Sequence, residues 1–143
     1  MQTIITHPNF SYLWKELVKN NSDLKLWKVN FETFKDWWPN IFIENIDEDI
    51  EHQTITYIWD YSKPENLFTN YSIVRALLGY YADKVRVIVP FFPVWTMERI
   101  SKKWEVATSK YMADILSNIP VWRTQKSSIH IFDIHTLEQR FFF

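Results

Sequence analysis

Thr54-Ile55-Thr56-Tyr57-Ile58-Trp59, then Asp60–Pro64, then the segment Glu65–Tyr81, then Val85-Arg86-Val87-Ile88-Val89, settles the fold class. The first six residues alternate and are β-branched, which reads as a strand. Asp60–Pro64 is a loop. In Glu65–Tyr81, the residues Leu67, Phe68, Tyr71, Val74, Leu77 and Leu78 form an apolar stripe at helical spacing. Val85–Val89 is a second strand, stopped by Pro90. Strand, helix, strand at this spacing is the pattern of an α/β layer with a mostly parallel sheet.

Toward the N-terminus, Thr3–Thr6 reads as a short first strand. Pro8 and Asn9 form a turn and N-cap opening a helix over about Phe10–Asn20, with Tyr12, Leu13, Leu17 and Val18 on its apolar face. Leu24, Leu26, Trp27, Val29 and Phe31 suggest a strand with an irregularity near Trp27. Pro39 interrupts the next segment, and Ile41-Phe42-Ile43 makes a short second ribbon. The acidic run Asp47-Glu48-Asp49 with Glu51 reads as a solvated loop.

Toward the C-terminus, Phe91–Trp104 is a long loop rich in charge and aromatics, Val106–Ser117 a helix, and Ser128–Phe132 the last strand. Open parallel sheets bind ligands beyond the carboxyl ends of their strands. Three segments lie at such ends: Asp60–Pro64, Phe91–Trp104 and Asp133–Glu138.

The 143 residues suit one domain. A net charge of −1 gives no bulk electrostatic case for nucleic acid or an anionic membrane. The absence of cysteine excludes disulfides and thiolate zinc sites. A single glycine, Gly79, excludes a Gly-rich phosphate loop, and leaves positive-φ positions to be absent or carried by Asn and Asp. Met1–Pro8 lacks the basic and apolar blocks of a secretory signal, and no run reaches the roughly 18–20 apolar residues of a membrane span. The expectation is a soluble, cytoplasmic protein.

Three segments carry candidate chemistry. Asp133 and His135 follow an apolar strand, where such a pair can serve a Mg²⁺ ion and a phosphate substrate. The alternative is an Asp capping the next turn and a His bonded to backbone. Arg99, Lys102 and Lys103 in the long loop can close over phosphates, Arg as a planar fork and Lys as a point charge. The alternative there is a solvated basic loop with Phe91, Phe92 and Trp95 tucked into the core. Phe34 and Asp36 sit on a turn where a ring and a carboxylate can hold a nucleobase, or simply pack. His7, His52 and His130 read as structural or surface residues.

Taken in order, several stretches resemble the N-terminal half of ribose-phosphate diphosphokinase, most of all its plant-type class. They are Trp38–Ile43, Val89-Pro90-Phe91-Phe92-Pro93, Thr96-Met97-Glu98-Arg99, Val106-Ala107-Thr108, Ile115–Pro120 and Phe132–Phe141. The resemblance implies a three-layer α/β domain of the type I phosphoribosyltransferase kind. It implies Mg²⁺-dependent diphosphate transfer from ATP to ribose 5-phosphate, with Mg²⁺ and basic side chains neutralising charge. His135 then matches the metal-coordinating His, with Asp133 in the same motif. Arg99 matches a catalytic, ATP-phosphate arginine of the loop that also holds Lys102 and Lys103. Phe34 and Asp36 match the segment that holds the adenine. Trp37 and Trp95 stand where the family often has glycine, and the extra loop arginine of the bacterial-type class is Thr96.

The family's second domain, which carries the ribose-phosphate loop, has no counterpart in residues 1–143. The resulting expectation is a single N-terminal-like domain, inactive in diphosphate transfer unless another chain supplies that half. The partners expected are a nucleotide, ribose 5-phosphate, and a homo-oligomer or a hetero-oligomer with such a chain. The alternative is a non-catalytic nucleotide-binding or interaction subunit that docks onto a full-length synthetase. The aromatic ending Phe141-Phe142-Phe143 is expected to be buried against something.

Overall fold

The computed structural model describes residues 2–44, 50–80, 82–92, 94, 97–119 and 127–134. Asp47-Glu48-Asp49, Trp95, Thr96, His135 and Phe141–Phe143 lie outside the described residues. Among the described residues seven strands form, β1 (Gln2–Thr6), β2 (Leu24–Leu26), β3 (Val29–Thr33), β4 (Pro39–Ile43), β5 (Thr54–Ile58), β6 (Lys84–Val89) and β7 (Ser128–Ile131). Among the same residues the α-helices are α1 (Ser11–Lys19), α2 (Asn66–Gly79) and α3 (Thr108–Ser117). The main sheet runs β2-β1-β5-β6-β7 with every neighbouring pair parallel.

Consecutive residues Ile55, Thr56, Tyr57 and Ile58 of β5 are all buried. Since successive strand side chains point to opposite faces, both faces of the sheet are covered there, giving the three-layer arrangement. On one side the core gathers Trp59, Phe92, Ile73, Leu77, Leu78 and Leu116 around the strands. The four buried apolar residues of α2, Ile73, Val74, Leu77 and Leu78, are what hold that helix on the sheet.

Several expectations change. Residues Leu24–Phe31 are two strands in different sheets. Trp27 marks the break: its backbone amide donates to the Ile4 carbonyl at 2.8 Å and its indole Nε1 to the Glu44 carbonyl at 2.7 Å. After this pin the chain leaves β1 and pairs antiparallel with β4, from Val29 opposite Ile43 to Thr33 opposite Pro39. Pro39 therefore opens a strand, a position where the missing N–H costs little. Of the expected apolar positions of α1, Tyr12, Leu13 and Leu17 are exposed and Val18 is only partly buried, and no residue of α1 is fully buried. Asn9 is not the cap of α1. Pro8–Phe10 forms a 3-10 turn first, and Asn9 spends its side-chain amide on Asp60. Among the described residues positive φ falls on Trp37, His52, Val94 and Trp104, and on no Asn or Asp.

Candidate functional site

The carboxyl ends of β6 and β7 are knitted together by backbone. Phe132 N donates to Val89 O at 3.1 Å, and Phe92 N donates to Asp133 O at 3.4 Å. Buried Phe92 roots the start of the long loop in the core, its ring edge-on to Tyr61 at 6.4 Å, and Tyr61 stacks on Trp59 at 5.0 Å. Asp133 stands exposed on this edge.

The loop after β6 presents its cations on a fixed frame. Ser109 N, at the start of α3, donates to Met97 O at 3.3 Å and ties the loop to the helix. Arg99 Nε lies 3.4 Å from Glu98 Oε1, with the Arg99 side chain 79% exposed and that of Glu98 only 6% exposed. The second oxygen of Glu98 is buried with no hydrogen-bond partner among the described residues. Further on, Ser101 N and Lys102 N both donate to Glu105 Oε2, at 2.6 and 3.1 Å. That tight turn lifts Lys102 and Lys103 into solvent beside Trp104, whose ring centroid is 5.6 Å from Lys103 Nζ.

Phe34 and Asp36 occupy the tip of the β3–β4 ribbon. Phe34 N donates to Trp38 O at 2.8 Å, Trp37 N to Phe34 O at 3.0 Å, and Trp38 N to Asp36 Oδ1 at 3.4 Å. Trp37 holds φ at 70°, so the left-handed backbone that favours glycine persists with an indole on it. Trp38 packs edge-on against Phe68 of α2 at 5.4 Å. Beside this contact lies an apolar groove of about 340 Å³ between the ribbon and α2, lined by Ile41, Phe42, Phe68, Ile73 and Tyr80 among others. No hydrogen bond or ion pair among the described residues joins Phe34 or Asp36 to Arg99, Lys102, Lys103 or Asp133. The edge brings Asp133 and the start of the loop that carries Arg99 together.

One constellation escapes the sequence. Asp60, just past β5, is 1% exposed and meets His7, just past β1, with Nδ1 3.2 Å from Oδ2. Burial alone would raise the Asp60 carboxyl, but hydrogen bonds from the Ser62 amide and hydroxyl and from Asn9, with His7 nearby, hold it below its ordinary value. Burial lowers His7, opposed by Asp60. Tyr57 and Tyr61 are pushed up by burial first, so both phenols stay protonated. The available signal was that Asp60 opens one of the three segments at strand ends. Nothing local pointed to a partner for His7, which reads from the sequence as a structural or surface residue.

Comparison with known proteins agrees with this architecture. Residues 3–119 match the family model for the N-terminal domain of ribose phosphate pyrophosphokinase. The chain is 40% identical over 131 residues to ribose-phosphate pyrophosphokinase 3, chloroplastic, of Oryza sativa subsp. japonica, covering 92% of this chain and 32% of that protein. It is 34% identical over 131 residues to ribose-phosphate pyrophosphokinase 4 of Arabidopsis thaliana, covering 92% and 39%. The crystal structure of phosphoribosylpyrophosphate synthetase from Mycobacterium smegmatis matches over 100% of this chain and 46% of that one, with a TM-score of 0.77 at 16% identity, which shows the shared fold. The chain thus spans about a third of the length of the curated relatives it matches. On the family match, with the parallel sheet and strand-end loops that accompany it, the chain belongs to the ribose-phosphate pyrophosphokinase family and corresponds to its N-terminal domain.

Proposed function

We propose that this domain takes Mg-ATP at the β6–β7 edge as the nucleotide-binding half of a diphosphate-transfer system. The observation that carries the proposal is the backbone link from Phe92 to Asp133, which holds a basic loop and a carboxylate on neighbouring strand ends. Arg99 and the exposed Lys102 and Lys103 supply charge to phosphate oxygens, and Arg99 acts on the transferring group. Mg²⁺ in nucleotide sites is held by one or two carboxylates plus substrate phosphates, and the exposed Asp133 suits that sparse donor set, with His135 beside it in sequence. When bound, the ion neutralises the phosphate charge that opposes transfer. Phe34 and Asp36, which match the family's adenine-holding segment, reach the base from the ribbon tip of a neighbouring copy.

Transfer to ribose 5-phosphate uses an acceptor site supplied by a second half, as part of nucleotide biosynthesis. Without that half, residues 1–143 bind nucleotide and do not turn over. The cytoplasm is the proposed location. No helix of the described residues is long and apolar enough to cross a membrane, and relatives are named as chloroplastic and mitochondrial.

Calorimetric titration with Mg-ATP tests the reading. Saturable binding that Arg99→Ala weakens about 10-fold or more is expected, the loss of one hydrogen bond to a charged group. Failure of Mg-ATP to bind overturns it. AMP formation from ATP and ribose 5-phosphate is expected only when a polypeptide carrying the second half is added.

A second reading, an interaction subunit docking onto a full-length synthetase, is favoured by the exposed aromatics around the ribbon. Trp37 is 84% exposed and Trp38, Phe42 and Phe68 each more than half exposed. Large apolar patches of this kind commonly mark association surfaces. Light scattering is expected to show an oligomer that Phe42→Lys reduces to monomer.

A further inference from the structure

We infer that the crevice between the carboxyl ends of β1 and β5 is a cradle for a small carboxylate-like anion, which the chain keeps filled with its own Asp60. The inference is independent of the nucleotide reading. From β1 the sheet extends to β2 on one side and to β5 on the other, so the connections leaving these strand ends diverge. Crevices at such switch points are the usual ligand sites of open parallel sheets. Here two helical segments begin at that point, the turn Pro8–Phe10 that runs into α1, and α2 at Asn66.

The donors converge on one carboxylate. Asp60 Oδ1 accepts Ser62 N at 2.8 Å. Oδ2 accepts Asn9 Nδ2 at 2.5 Å, Asn66 Nδ2 at 2.8 Å and Ser62 Oγ at 3.0 Å, and the His7 ring stands beside them, its Nδ1 3.2 Å from Oδ2 and accepting the Asn9 amide at 3.4 Å. These donors come from both sides of the crevice, and no lysine or arginine is among them. A set of neutral donors with one imidazole suits a singly charged planar anion better than a phosphate dianion.

The cradle is braced from behind by groups that do not use the carboxylate. Fully buried Asn70 donates to the Asp60 carbonyl at 3.0 Å and to the Asn66 carbonyl at 2.5 Å. Its Oδ1 accepts the Tyr57 hydroxyl at 2.6 Å and the Asp60 amide at 3.3 Å. The His7 ring is fixed edge-on to Phe31 at 5.3 Å. Removing the Asp60 side chain therefore leaves the donors in place around an empty space of carboxylate size. With Asp60 present, the crevice is shut to any external ligand.

Chemical rescue tests this. Thermal unfolding of Asp60→Ala is followed with added formate, and of Asp60→Gly with added acetate, each against chloride at equal ionic strength. The expected result is a saturable rise in melting temperature of about 5 °C or more in both variants. Wild type, and Asp60→Asn with its space still filled, are expected to show only the small unsaturable drift of a salt effect. If the Ala or Gly variant is unfolded without anion, recovery of native tryptophan fluorescence on adding formate or acetate is the readout. No saturable gain in either variant, or an equal gain in Asp60→Asn, overturns the inference.

Discussion

Single residues set the local terms of this fold, and Trp37 is the clearest. A non-glycine residue at φ 70° costs roughly 1–2 kcal/mol, and an indole 84% exposed recovers little of it by burial. Trp37→Asn, which tolerates that backbone, is expected to raise unfolding free energy by about 1 kcal/mol in urea titration. A loss instead would mean that the indole is packed. Asp60 sets the acid limit. Its folded pKa is lowered from 3.8, so its contribution is present above that value and is lost as pH falls through and below it. His7, lowered from 6.5, acts in the same sense, since the unfolded chain binds its proton first and stability begins to fall below about 6.5. Stability measured from pH 7 to 3 should therefore decline, and Asp60→Asn should flatten the lowest part of the curve.

At the scale of elements, burial decides which patterns become structure. Helix α2 delivers Ile73, Val74, Leu77 and Leu78 to the core with at most 1% exposure, and of the six expected positions Val74, Leu77 and Leu78 are buried, Leu67 and Tyr71 pack partly against the core, and Phe68 is exposed. Leu77→Ala is expected to cost about 2–5 kcal/mol, read as a fall in denaturation midpoint. Helix α1 shows the limit of the same reasoning. Tyr12, Leu13 and Leu17 keep helical spacing yet face solvent, because spacing fixes which residues share a face and not what that face meets. The ribbon adds a second case. Trp27→Phe removes the indole bond to Glu44 O that pins the turn from β2 to β3, at an expected cost of about 1 kcal/mol.

For the whole molecule, the order β2-β1-β5-β6-β7 fixes where chemistry can stand. It places Asp133 and the basic loop on one edge, and His7 with Asp60 at the switch point. Of the candidate site, Asp133 and Arg99 are candidates read from their place after strands, while the meeting of His7 with Asp60 was not legible. The sequence by itself determined the α/β class, the identity of most strands and helices, and the loops that crown the sheet, because hydrophobic periodicity and β-branched runs are properties of neighbouring residues. Tertiary structure alone decided that Pro39 opens a strand, that α1 shows most of its apolar stripe to water, and that one aspartate is wrapped by donors from two distant segments. These outcomes depend on what each segment packs against, and contacts between residues far apart along the chain leave no local pattern to read.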